Sequence, residues 1–212
     1  KTVLQNQNIY TGYANTLFYV IVGPGVNMIL TIIGAINWGL IGLAKFDLVA
    51  WIFGGLASIL GALTFALQVV MAPLPNIEPV SLLVMIFAGV FGWKCLYPVY
   101  VFVVMEILFY GISTWNIYYL YVWTVLAFAA ILMRKQTHPL AWALLSAVFG
   151  LFFGALCGIV DVFIGGFGYA AAKWVSGIPF DLLHCGGNFG MALILYKPLR
   201  NAMEKLYIRM KR

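Results

Sequence analysis

A chain of 212 residues that is 64% hydrophobic and 8% charged, with a mean hydropathy of +1.01, is not an ordinary water-soluble domain. Its apolar runs are long and continuous rather than short and alternating, which excludes a transmembrane β-barrel and leaves an all-α polytopic membrane protein embedded in a lipid bilayer. The net charge of +6, from 12 basic and 6 acidic residues, is a topology signal in such a protein and points to no nucleic-acid partner.

The first fifteen residues are polar, carry one charge, and lack the basic start and short apolar core of a cleavable signal peptide. Seven apolar segments follow, at about 16–43, 48–72, 79–93, 96–112, 117–133, 139–165 and 182–207. Gly23, Pro24 and Gly25 divide the first into a surface piece and a span from Val26. On the second, Gly54, Ser58, Ala62 and Ala66 recur every four residues; on the sixth, Gly150, Gly154 and Gly158 do the same. Rows of small residues let helix backbones approach closely in lipid, so one row serves internal packing and the other is open as a partner surface.

The basic residues sort by side. Lys45, Lys94, Arg134, Lys135, Lys197, Arg200, Lys205, Arg209, Lys211 and Arg212 fall at alternate ends, leaving Lys1 and Lys173 opposite. The positive-inside rule then predicts an outer start and a cytoplasmic C-terminus in a bacterial cell membrane. The stretches 71–79, 111–116 and 165–179 are expected as outer loops, the last a long one. In or beside them lie Asn76, Glu78, Glu106, Tyr110, Trp115, Tyr119, Trp123, Asp161 and Trp174. A carboxylate in hydrocarbon costs about 2.5–3.5 kcal/mol, so Glu106 and Asp161 are expected to face protein or water. A helix expected to begin near Pro179 places Asp181, His184 and Asn188 on one face at i, i+3 and i+7. Aromatic walls with a few fixed polar groups suit an amphipathic organic ligand. An interfacial aromatic belt, an Asp181 cap and helix-to-helix hydrogen bonds explain the same residues without one.

Catalytic signatures are missing: there is no phosphate-binding G-x-x-x-x-G-K-[ST] loop, no H-E-x-x-H helix and no G-x-S-x-G elbow. Cys95, Cys157 and Cys185 show neither a disulfide framework nor metal spacing, and His184 beside Cys185 diverges by about 100° on a helix. No enzyme activity, cofactor or metal is expected. A membrane enzyme built on Glu106, Asp161, Asp181 and His184 stays as the third reading.

From about Leu56 onward the chain resembles the substrate-binding S component of energy-coupling factor (ECF) vitamin transporters. The residues that carry the resemblance are the A-x-x-x-A pair Ala62 and Ala66, PLPNIEP, FGW at 91–93, YLYVW at 119–123, FGLFFGALCG at 149–158, and WVSGIPFDLLHCGGNF with KPL at 197–199. That resemblance implies a six-helix core over 47–212, no ATPase of its own, and partners in a transmembrane coupling subunit and two cytoplasmic ATPases. It also implies that Ser58, Ala62 and Ala66 meet the coupling subunit, and that a vitamin, with a corrinoid such as cobalamin the best guess, binds near the outer face. Its contacts would come from Asn76, Glu78, Glu106, Tyr110, Trp115, Tyr119, Trp123, Trp174, Asp181, His184 and Asn188. Residues 1–46 depart from this family as a polar segment plus one extra transmembrane helix, and 29–55 resemble a small two-helix bacterial membrane family of unknown function. A structural or assembly protein, whose polar residues staple helices together, is the alternative from another class.

Overall fold

The computed structural model describes residues 55–74 and 77–210; the expected leading helix at 16–43, the boundary at 46 and Asn76 lie outside them. The described residues are helical and form no strand: α1 (Gly55–Met71), α2 (Val80–Phe91), a 3-10 turn (Gly92–Cys95), α3 (Leu96–Tyr110), α4 (Thr114–Leu132), α5 (Pro139–Leu151) and α6 (Phe153–Met210). The stretches Val80–Tyr110, Thr114–Leu132 and Pro139–Arg209 are long and apolar enough to cross a membrane. Phe163, Phe167 and Ile194 are 86%, 79% and 70% exposed, which water does not tolerate on this scale and lipid does. The chain is a membrane protein.

Its centre is α2, whose residues from Val80 to Ala88 are all buried. A helix apolar on every side belongs inside a bundle. Around it Trp123 of α4, fully buried, sits among Phe102, Tyr119, Phe149 and Phe153 with ring centroids 5.4–6.1 Å apart. At Gly61 of α1 an added Cβ would lie 2.6 Å from Val101, so only glycine lets α1 press this closely on α3.

The stretch 165–179, expected as a long loop, is helix on both sides of a single break. Gly166 adopts φ 81°, ψ 173°, a conformation that an L side chain rarely adopts, and α6 reverses there into two antiparallel arms, 153–165 and 167–210. The ladder between the arms and α5 runs Asp161 to Lys173, Gly154 to Asp181, Ser146 to Asn188 and Trp142 to Tyr196. Asp181, His184 and Asn188 therefore lie mid-helix, and Asp181 is not an N-cap. Pro179, expected at the helix start, is inside it. Two glycines of the row, Gly150 and Gly154, serve this hairpin, and a Cβ at Gly150 would stand 2.8 Å from the His184 backbone, while Gly158 has nothing within 4 Å.

The return arm is 44 residues by number, about 66 Å at 1.5 Å per residue, and near its basic end Tyr207 still meets Phe91 of α2 with ring centroids 5.0 Å apart. There Arg200 straps the α4–α5 connection, donating to the Arg134 carbonyl at 3.3 Å and the Gln136 carbonyl at 3.4 Å while pairing with Glu204 at 2.9 Å.

Candidate functional site

At the end of the bundle opposite Arg200, a cavity of about 760 Å³ opens between the ends of α1, α3 and α4 and the α6 hairpin. Its position follows from local structure. Ser113 starts α4 with its backbone N–H bonded to the Asn116 side chain at 2.6 Å, a capping arrangement that fixes Asn116 and, one turn on, Tyr119. Gly111, at φ 81°, ends α3 one residue beyond Tyr110 and turns the chain over the mouth. The hairpin supplies the far wall.

Of the residues expected to hold a ligand, Glu78, Glu106, Tyr110, Trp115, Tyr119, Trp174, Asp181 and His184 all line this cavity. Two do not. Trp123 lies in the aromatic core beneath the floor, because its turn of α4 faces Phe102 and Phe153. Asn188 is 1% exposed and donates to Ser81 Oγ at 3.1 Å and to the Ser146 carbonyl at 3.4 Å, so it staples the return arm to α2 and α5. On α1, Ser58 and Ala62 are half-buried and Ala66 is exposed.

The polar groups of the cavity fall into two sets. Toward the hairpin turn, Lys173 Nζ donates to Asp161 Oδ1 and to Tyr118 Oη, both at 2.8 Å, and Tyr118 donates to the same Asp161 oxygen. Asp161 thus faces protein, with its charge matched, and Asp181 Oδ1 accepts the Gly154 N–H at 3.1 Å. Deeper in, Glu106 Oε1 and His184 Nε2 are buried without a hydrogen bond, and Glu78 Oε1 stands 3.8 Å from His184 Nε2. Glu78 is outside the spanning helices. Burial first and the nearby Glu106 carboxylate second push its pKa up from 4.5 to about 7. Phe153 meets the His184 ring edge-on at 5.1 Å and fixes its plane.

Gln68, Ser113, Asn116, Tyr118, Lys173 and Phe180 also line the cavity and were not among the expected contacts. The signal for the Lys173 group was in the sequence. Gly165 and Gly166 as a hairpin turn, rather than the start of a loop, pair 161 with 173 directly.

Among known proteins, residues 22–74 match a family described as a domain of unknown function (DUF378). The chain is also 62% identical over 40 residues to the uncharacterized membrane protein YuzA of Bacillus subtilis (strain 168), an alignment covering 19% of this chain and 51% of that protein. The chain thus spans about half the length of the curated relative it matches. No solved structure matches it. The DUF378 match contains the 29–55 stretch that resembles a small membrane family of unknown function, and it runs on through α1.

Proposed function

We propose that this protein is the membrane-embedded substrate-binding subunit of a vitamin importer of the energy-coupling factor type, taking its ligand in the cavity at the outer end of the bundle. The observation that carries the reading is a 760 Å³ cavity with aromatic walls and buried, unpaired polar atoms. That volume is within the range of about 300–1,000 Å³ in which small organic ligands are held. Unsatisfied buried polar atoms cost about 1–3 kcal/mol each, and a bound ligand supplies the missing partners.

The ligand is better taken as a compact vitamin than as a corrinoid. A corrinoid needs a wide mouth, and the stretch expected to provide one, 165–181, is helix packed in a hairpin. Energy for uptake would come from a coupling subunit and two ATPases. Ala66, with Ile59 and Val70 exposed beside it, offers α1 as the contact face.

The test is calorimetric titration of the purified protein with individual vitamins, alongside mass spectrometry of any co-purified small molecule. Micromolar or tighter binding of one vitamin is expected. The absence of both binding and co-purified ligand would sink the reading and leave the structural alternative.

A further inference from the structure

The four carboxylates lining the cavity are not equivalent. Asp161 has Lys173, the one lysine or arginine along the cavity wall among the described residues, and Asp181 has a backbone N–H. Glu78 and Glu106 have neither. Glu106 is 7% exposed and His184 3%, yet Glu106 Oε1 and His184 Nε2 make no hydrogen bond. Glu78 approaches His184 only to 3.8 Å, beyond hydrogen-bond reach, with its side chain 20% exposed. Two acids and an imidazole thus converge from the α2 entry, α3 and the return arm, with no cation among the described residues to balance them. Nor does the group serve as a metal cage: no cluster of three or more His, Cys, Asp and Glu with metal-binding geometry occurs among the described residues.

We infer that Glu78, Glu106 and His184 form a recognition subsite for a flat, cationic nitrogen group on the ligand, of the amidinium, aminopyrimidine or thiazolium kind, carrying N–H donors where the ring allows. The inference rests on the cavity being a ligand site, as proposed above. Each part of the chemistry has a counterpart on the wall. Carboxylate oxygens accept N–H bonds and neutralise the charge, and charge-assisted bonds of this type are roughly twice as strong as neutral ones. Tyr119, with Trp115 edge-on at 6.3 Å, presents aromatic faces, and a cation over such a face is attracted further once water is excluded. An anionic ligand head would instead meet two uncompensated acids at close range, and an unpaired buried charge is strongly disfavoured. Burial first and the neighbouring Glu106 second raise the pKa of Glu78, and a cation bound between the two acids would favour their ionised forms.

The experiment titrates the full chain in lipid nanodiscs with thiamine and benzamidine as cationic probes, riboflavin as a neutral one, and biotin and pantothenate as anionic ones. Binding of a cationic probe in preference to the others is expected, weakened roughly 10- to 100-fold by Glu106→Gln and by Glu78→Gln in variants that retain a cooperative melting transition, as the loss of a charged hydrogen bond implies. Should Glu106→Gln fail to fold, Glu78→Gln, at the partly exposed edge of the site, decides alone. Preferential binding of an anionic or neutral vitamin overturns the subsite while leaving the importer reading intact. Cationic binding that survives both substitutions also overturns it. No binding of any probe, with no co-purified ligand, overturns the two together.

Discussion

Glu78 couples stability to pH. Its carboxyl faces Glu106 of α3, His184 of the return arm and Tyr119 of α4, and its pKa is raised from 4.5 to about 7. The folded state therefore holds the proton more tightly than the unfolded one. The stabilisation is complete below about pH 4.5 and is lost as pH rises through about 7. In the absence of ligand, the melting temperature should fall between pH 5 and pH 8, and Glu78→Gln should flatten that slope; an unchanged slope would remove Glu78 as its source. Asn188 makes a contrasting case. Its amide joins three helices away from the cavity, so Asn188→Ala should cost about 1–3 kcal/mol of stability while ligand affinity stays the same. Melting curves and titrations on the same preparation separate the two roles. Sequence spacing put Asp181, His184 and Asn188 on one face, and they do share it. Spacing has no depth, however, and one further turn carries Asn188 out of the cavity and into the helix junction.

At the scale of elements, the α6 hairpin decides where the site is. Gly150 lets the return arm lie against α5 at backbone distance, and Gly154 leaves room for the Asp181 carboxylate against the first arm, which sets Asp181 and His184 into the wall. Gly150→Val places a side chain within 3 Å of the His184 backbone, and overpacking of this kind costs about 1–3 kcal/mol or more. The expected outcome is a lower melting temperature together with loss of ligand binding, in contrast to Asn188→Ala, where only the first changes. Apolar runs made the extents of α2, α3 and α4 legible in the sequence to within a few residues, whereas the single run 139–165 covers both α5 and the first arm of α6. The same reasoning mistook 165–179 for a loop because Gly165, Gly166, Gly168, Lys173, Ser176 and Pro179 are loop formers in water. Beside a membrane they are not, since lipid leaves a helix as the cheapest way to satisfy the backbone. Pro179 forgoes one bond, to the Val175 carbonyl, and the helix continues around it. The Lys173, Asp161 and Tyr118 group was lost with that misreading, because only a tight hairpin brings 161 and 173 together.

At the scale of the whole molecule, the two ends of the bundle are chemically opposed. One holds the cavity with its acids and aromatics. The other holds Lys94, Arg134, Lys135, Lys197, Arg200, Lys205 and Arg209, with Arg200 tying the return arm to the α4–α5 connection. The importer reading requires the cavity end to face outward, and the positive-inside rule predicts the basic end in the cytoplasm. Ser176, exposed at the cavity, and Lys135, exposed at the opposite end, are positioned to test it. Cys95 and Cys157 are buried, so a Cys185→Ser background leaves little native thiol to react. In intact cells, a membrane-impermeant maleimide should label Ser176→Cys and leave Lys135→Cys untouched until the membrane is opened. The reverse pattern would put the cavity on the cytoplasmic side, where a capture subunit for import has no access to its ligand, and the functional reading would fall even with the fold intact.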